Sequence, residues 1–127
     1  MSENNPSRKI LIIDDDPLAV KLASSLLSSS GYEVLVANDA PAGLEKAMTE
    51  SPDLIVMDVM MPIINGFNIC RLMKSQDKHC HIPIILLTSR ASEDDKRIGE
   101  EVGADAYISK PFNTEQFIAK VKELLPA

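Results

Sequence analysis

Five short apolar runs alternate with longer amphipathic segments along this chain of 127 residues. Each run has the length of a β-strand, and four of them are apolar on both faces, which is typical of parallel strands covered by helices on either side. The alternation predicts an α/β fold with a doubly wound parallel sheet. Only the second run, which includes Glu33, is expected to be an edge strand. The predicted strands are residues 9–13, 33–37, 54–57, 83–87 and 106–108.

Capping residues mark the helices predicted between these strands. Asp16 is the candidate N-cap of the first helix, and Pro17 lies in its first turn. The buried stripe of this helix is expected to contain Leu18, Ala19, Leu22, Ala23, Leu26 and Leu27. The other helices are predicted at residues 40–50, near 65–75, from the capping sequence 92–95 to Gly103, and after the N-cap Asn113, where Phe112 and Phe117 are spaced as a hydrophobic staple.

Length and charge narrow the kind of protein. We expect residues 9–125 to form one domain and the polar residues 1–8 to be a disordered lead-in, because they lack the apolar segment of a secretory signal. No apolar run approaches the ~20 residues of a membrane span, so a cytoplasmic protein without membrane contact is expected. A formal charge of −6 argues against direct binding to nucleic acid, which requires clustered lysine and arginine.

Cysteine and histidine are sparse. Cys70 and Cys80 lie in no CxxC pattern and are expected to be free thiols. The sequence His79-Cys80-His81 invites a metal interpretation, but three consecutive side chains do not easily converge on one ion. We therefore interpret this stretch as a surface loop.

Ionisable or hydroxyl side chains follow four of the predicted strands. Asp14, Asp15 and Asp16 come after the first, Asp58 after the third, Thr88 after the fourth and Lys110 after the fifth. Ligands of such sheets bind outside the carboxyl ends of the strands, so these groups are expected to lie together. Carboxylates at one edge raise one another's pKa unless a cation offsets them, and Mg²⁺ is the natural candidate. A carboxylate can also attack phosphorus.

Each of these signals has a plainer explanation when it is taken alone. Asp16 fits a helix cap and no more. Thr88 fits a hydroxyl that satisfies a backbone group, and Lys110 fits a solvated lysine. The functional interpretation depends on their coincidence at successive strand ends.

Longer blocks around these residues resemble the motifs of the response regulator receiver family of two-component signalling, including its chemotaxis regulators. The blocks stand in the family's order and spacing, and the resemblance spans about residues 9–125. It implies the flavodoxin-like (βα)5 fold with strand order 2-1-3-4-5. The blocks are residues 10–17, 53–62, Gly66, 83–88 and 103–112.

The resemblance also implies a chemical role for the acidic residues. Asp58 would accept a phosphoryl group from the phosphohistidine of a sensor histidine kinase or a phosphotransfer protein. Asp15, Asp58 and the backbone carbonyl of Met60 would bind Mg²⁺, and Asp14 would act through a coordinated water. The protein would be a phosphorylated switch and not an enzyme.

The remaining family positions imply how the switch would work. Lys110 would pair with the phosphoryl oxygens, and the Thr88 hydroxyl would move to hydrogen-bond one of them. Tyr107 would turn inward when Thr88 moves, and the face formed by the fourth helix, fifth strand and fifth helix would signal to a downstream protein or an output domain. The Lys110–Pro111 peptide would be cis.

Two other functions remain open at this point. Asp14-x-Asp16 faintly resembles the nucleophile motif of haloacid-dehalogenase-type phosphohydrolases, in which Asp14 would carry the phosphoryl group. A degenerate receiver that acts as a constitutive interaction module is the second alternative, and the complete set of Asp, Thr and Lys argues against it.

Overall fold

The computed structural model describes residues 8–61, 64–88 and 93–125. In these ranges five strands and five helices alternate without exception, as the sequence predicts. The lead-in predicted for residues 1–8 lies outside the described residues apart from Arg8 and stays a prediction. The elements are β1 (Lys9–Ile13), α1 (Pro17–Ser29), β2 (Glu33–Ala37), α2 (Ala40–Glu50), β3 (Leu54–Asp58), α3 (Gly66–Lys74), β4 (Ile84–Thr88), α4 (Glu93–Glu101), β5 (Ala106–Ser109) and α5 (Thr114–Leu124).

All strand pairings are parallel, and the sheet has the order β2-β1-β3-β4-β5. This confirms the predicted doubly wound order. The expectation of a single edge strand was wrong, because β5 forms the second edge. With β4 as its neighbour on one side only, the apolar residues Ala106, Tyr107 and Ile108 are half-buried.

Two apolar layers hold the helices against the sheet. On one face, alternate strand residues such as Leu11, Ile55 and Leu86 pack with residues of α2, α3 and α4. On the other face, the intervening residues such as Ile12 and Val56 pack with α1 and α5. The alternation along each strand therefore assigns every apolar strand residue to one of the two layers.

The capping predictions are largely confirmed. Asp16 Oδ1 accepts a hydrogen bond from the Leu18 N–H at 3.1 Å. Asn113 Oδ1 accepts one from the Gln116 N–H at 2.9 Å. The rings of Phe112 and Phe117 pack with centroids 4.7 Å apart. The capping sequence predicted at 92–95 begins outside the described residues.

The stripe predicted for α1 is only partly correct. Ala23 and Leu27 are buried, but Leu18 is 79% exposed and Leu22 is 43% exposed. The row that contacts the sheet runs through Val20, Ala23 and Leu27, at the i, i+3, i+7 spacing of a helix face. Leu18 and Leu22 lie on the flank of that row and face outward.

The described helices also bear on the membrane question. None of them combines the length and the apolar character needed to cross a lipid bilayer. The cytoplasmic location stays a prediction from the sequence.

Candidate functional site

Three carboxylates meet at the carboxyl edge of the sheet, where the sequence predicts them. Asp14 and Asp15 follow β1, Asp58 ends β3, and these strands are neighbours. One carboxylate oxygen of each residue lies within 4.8 Å of the others. Asp14 and Asp58 are 1% and 5% exposed, whereas Asp15 is open to solvent. We call these three residues the acidic cluster.

Lys110 reaches the acidic cluster from the end of β5. Its Nζ lies 2.8 Å from Asp14 Oδ2 and 3.7 Å from Asp58 Oδ2. The backbone N–H of Lys110 donates to the carbonyl of Thr88 at 2.7 Å, which fixes the loop to the end of β4. The peptide between Lys110 and Pro111 is cis, as the resemblance implies.

The charges in the site are unbalanced. Burial, followed by the charge of Asp14, raises the pKa of Asp58 from 3.8 to about 6. Lys110 and the Met60 N–H lower it without cancelling these effects. Burial alone would lower the pKa of Lys110, but its hydrogen bond to Asp14 and the charges of Asp14 and Asp58 raise it above its ordinary value. The acidic cluster is therefore short of positive charge even beside Lys110.

Asp14 and Asp58 differ in how firmly their oxygens are held. Asp14 Oδ1 accepts from the Asp16 N–H at 2.9 Å, and Oδ2 accepts from Lys110 Nζ at 2.8 Å. Asp58 Oδ1 accepts a longer bond from the Met60 N–H at 3.2 Å, and its Oδ2 is 3.7 Å from Lys110 Nζ. Asp58 is therefore the less constrained carboxylate and the better placed to form a new bond.

The donor set of the acidic cluster fits a hard divalent cation. Its ligand atoms are oxygens, which Mg²⁺ prefers, and its charge deficit is what a cation would correct. Among the described residues, no second group of three or more His, Cys, Asp or Glu side chains comes together in this way. The His79-Cys80-His81 stretch lies in the turn before β4, where His79 is unexpectedly buried and its Nδ1 is 2.8 Å from Gln76 Oε1.

Thr88 and Tyr107 connect the acidic edge to the α4 side of the sheet. Thr88 ends β4 and is 1% exposed. In the register of β4 with β5, Leu86 pairs with Tyr107 and Thr88 pairs with Ser109. Residues two apart on a strand share a face, so Thr88 and Tyr107 both belong to the face that α4 covers.

Met60, two residues after Asp58, is 47% exposed.

Gly66 supports the loop that follows Asp58. Its N–H donates to the carbonyl of Val59 at 3.0 Å, and the Met61 N–H donates to the same oxygen at 3.2 Å. A Cβ on Gly66 would lie 2.6 Å from the carbonyl oxygen of Asp58. The start of α3 can approach the end of β3 only because residue 66 has no side chain. The sequence marks Gly66 as a motif residue but does not reveal this contact.

A groove beside the acidic cluster was not predicted. It has a volume of about 350 Å³ and lies between the start of α1 and the loop after β5. Lys110 and Asp16 border both the groove and the acidic edge. The sequence feature that could have indicated this groove is the pair Leu18 and Leu22 of α1, but helical periodicity assigned both residues to the buried stripe. The lining residues are Asp16, Leu18, Ala19, Leu22, Lys110, Pro111 and Phe112.

A parallel sheet in the order 2-1-3-4-5 with carboxylates and a lysine at its carboxyl edge defines a flavodoxin-like α/β domain with an acidic, oxygen-rich site. Residues 10–122 match the family model of the response regulator receiver domain. The chain belongs to that family, the receiver domains of two-component response regulators.

Individual relatives agree with this assignment. The chain is 43% identical to the alkaline phosphatase synthesis transcriptional regulatory protein PhoP of Bacillus subtilis, over 94% of this chain and 49% of PhoP. It is 40% identical to the DNA-binding dual master transcriptional regulator RpaA of Synechocystis, over 92% of this chain and 48% of RpaA. The chain thus spans about half the length of these curated relatives. The chemotaxis response regulator CheY4 of Vibrio cholerae superposes with a TM-score of 0.87 at 33% identity, covering 94% of this chain and 99% of CheY4.

Proposed function

We propose that this receiver domain accepts a phosphoryl group on Asp58 from the phosphohistidine of a sensor histidine kinase or a phosphotransfer protein. The observation that carries the proposal is the state of the Asp58 carboxylate, which is buried beside Asp14 and Lys110 but loosely held. Asp14, the nucleophile of the phosphohydrolase alternative, has both oxygens engaged in hydrogen bonds shorter than 3 Å. Asp58 is therefore the better candidate for the acyl phosphate.

The transfer exchanges one bond to phosphorus for another. An oxygen of Asp58 attacks the phosphorus, the N–P bond of the phosphohistidine breaks, and its electron pair returns to the imidazole nitrogen. A pKa of about 6 keeps Asp58 mostly ionised at neutral pH and makes it more basic than an ordinary aspartate. Lys110, within 4 Å of Asp58, would stabilise the charge on the phosphoryl oxygens, and the Thr88 hydroxyl would donate to one of them.

The acidic cluster would bind Mg²⁺ as the cofactor of this reaction. Asp15, Asp58 and the backbone carbonyl of Met60 would hold the ion, and Asp14 would act through a coordinated water. When bound, Mg²⁺ supplies positive charge to the phosphoryl oxygens. Burial and the charge of Asp14 together raise the pKa of Asp58, and a bound cation would offset both effects, which supports this assignment.

Phosphorylation would change the face formed by α4, β5 and α5, because Thr88 at the end of β4 and Tyr107 in β5 connect that face to Asp58. The protein would then be a switch and not an enzyme. Its downstream partner would be another protein or an output domain, as the transcriptional roles in the names of PhoP and RpaA suggest for proteins about twice as long.

Labelling with acetyl phosphate tests the proposal directly. With Mg²⁺, the intact chain should gain one phosphoryl group that hydroxylamine removes, and the label should map to Asp58. Removal of Mg²⁺ with EDTA should prevent labelling, since the acidic cluster would keep its excess negative charge. A label on Asp14 would favour the phosphohydrolase alternative, and stable phosphate on Ser or Thr would contradict the proposal. The absence of any label would favour a constitutive interaction module.

The groove beside Lys110 is where we place the phosphohistidine donor. The donor must bring its imidazole to Asp58, so the surface next to the acidic edge has to be part of the contact. Leu18, 79% exposed at that edge, offers an apolar anchor there.

Leu18→Glu should therefore slow transfer from a phosphohistidine-bearing kinase domain by about tenfold, because a charge replaces an apolar contact worth ~1–2 kcal/mol. Labelling by acetyl phosphate should be unchanged, since this small donor needs no docking surface. Leu72→Glu, at a leucine of α3 that is 40% exposed, is the matched control and should behave as the parent does. Equal transfer rates for the two variants would remove the groove from the docking surface.

A further inference from the structure

α4 and β5 touch where Gly99 meets the ring of Tyr107. Gly99 is buried in the last turn of α4. A Cβ built on it would lie 2.9 Å from Tyr107 Cδ2 and 3.4 Å from Tyr107 Cε2. Carbon atoms prefer separations of ~3.5–4 Å, so any side chain at position 99 collides with the ring in its present position. The half-buried Tyr107 occupies space that glycine leaves open.

The C-terminal end of α4 is anchored near this contact. The Ala104 N–H donates to the Gly99 carbonyl at 3.1 Å. The buried Cys70 thiol contacts the Val102 carbonyl at 3.5 Å, and Val102 is itself only 4% exposed. The C-terminal end of α4, which contains Gly99, is therefore held against α3 and does not easily move away to admit a Cβ.

The loop after α4 is tied down as well. Lys74 Nζ, at the end of α3, pairs with Asp105 Oδ2 at 2.9 Å. The same Asp105 oxygen accepts from the Ile84 N–H at 2.8 Å, which joins the loop to β4. Because the helix end and its loop are both fixed, the ring of Tyr107 is the part that would have to change position.

We propose that the bare backbone at Gly99 stabilises the arrangement of Tyr107 that accompanies unmodified Asp58, and so sets the balance between the two states of the switch. The inference rests on the proposed function, in which Tyr107 changes position with Thr88 on phosphorylation. Gly99 is then a positioning residue that regulates Asp58 without contacting the acidic cluster.

The expected consequence of Gly99→Ala follows from two-state linkage. The added methyl group collides with the ring in one state only, so the population shifts toward the other state. Alanine also favours helix over glycine, but this gain applies to α4 in both states and largely cancels. Because coupling is reciprocal, Gly99→Ala should bind beryllofluoride with Mg²⁺, a mimic of the phosphoryl group, about fivefold or more tightly than the parent.

The composition of the chain provides a reporter for the ring. The protein has two tyrosines and no tryptophan, so Tyr32→Phe leaves Tyr107 as the sole source of tyrosine fluorescence. In this background, Gly99→Ala without ligand should shift the emission toward that of the beryllofluoride-bound parent. Titration calorimetry should show that Gly99→Ala binds beryllofluoride more tightly than the parent does. Glu100→Ala, at an exposed position of the same helix, is the matched control and should change neither the emission nor this affinity.

A double-mutant cycle separates the ring contact from other effects. In Tyr107→Ala, the further change Gly99→Ala should leave the affinity for beryllofluoride unaltered, because the collision partner is gone. If Gly99→Ala fails to fold, adding Tyr107→Ala should restore the thermal unfolding transition, and failure to restore it overturns the inference. An affinity gain that persists without the ring, or no gain at all in a parent that binds beryllofluoride, also overturns it. A parent that does not respond to beryllofluoride overturns the proposed function as well.

Discussion

Asp58→Asn is expected to abolish labelling by acetyl phosphate and by a phosphohistidine donor. The amide keeps the shape of the side chain but lacks the anionic oxygen that attacks phosphorus. It also removes one negative charge from the proposed Mg²⁺ ligands, so the nucleophile and the metal site are lost together. Intact mass spectrometry should therefore show an unmodified chain under conditions that label the parent.

Asp16→Asn is the matched control for this experiment. Asp16 caps α1 through Oδ1, which an asparagine oxygen can replace, and its other oxygen is 4.0 Å from Lys110 Nζ. This variant should be labelled as the parent is. Equal labelling of Asp58→Asn and the parent would refute the assignment of Asp58.

Asp58→Asn should also stabilise the fold when Mg²⁺ is absent. The pKa of Asp58 is raised in the folded protein, from 3.8 to about 6, so the folded state binds the proton more tightly than the unfolded state. The free energy of unfolding should consequently fall as pH rises from about 4 to about 6, by roughly 2–3 kcal/mol. Asp58→Asn has no such titration and should be the more stable protein by about 2 kcal/mol at pH 7.

Urea unfolding at several pH values measures this effect. The difference between the two proteins should be small near pH 4, should grow toward pH 6 and should then stay level. Millimolar Mg²⁺ should reduce it, because the ion would bind the folded parent and not the unfolded chain. Asp77→Asn, at an exposed carboxylate far along the chain from the acidic cluster, should show no comparable gain. If the difference in unfolding free energy between the two proteins does not depend on pH, then burial and Asp14 do not raise the pKa of Asp58.

Much of the fold was predictable because local signals and global topology agree. Asp16 and Asn113 stand where helices must begin, and the apolar runs supply strands of the right length. The position of each reactive group directly after a strand then brings Asp14, Asp58 and Lys110 to one edge. The receiver resemblance added the strand order, which alternation alone leaves open.

The features that were missed depend on what packs against a given surface. Periodicity identifies α1 as a helix, but it cannot say that Val20, Ala23 and Leu27 contact the sheet while Leu18 and Leu22 face solvent. Apolarity likewise marks 106–108 as a strand without revealing that it has one neighbour.

The glycines show the same limit. Another segment closely approaches the Cα atoms of Gly66 and Gly99, and neither approach leaves a signal in the neighbouring residues. The bond between Lys110 Nζ and Asp14 Oδ2, by contrast, joins a lysine and an aspartate, and their opposite charges can be read directly from the sequence.

That bond also spans 96 positions of the chain. During synthesis the acidic residues leave the ribosome long before the lysine does, and β5, the last strand to emerge, has to add to the edge of the sheet before the charges can be paired. A nascent or truncated chain that ends before β5 would contain Asp58 without its cation. Such a chain would lack the lysine proposed to stabilise the phosphoryl oxygens, so we expect it not to compete with the complete domain for a phosphoryl donor.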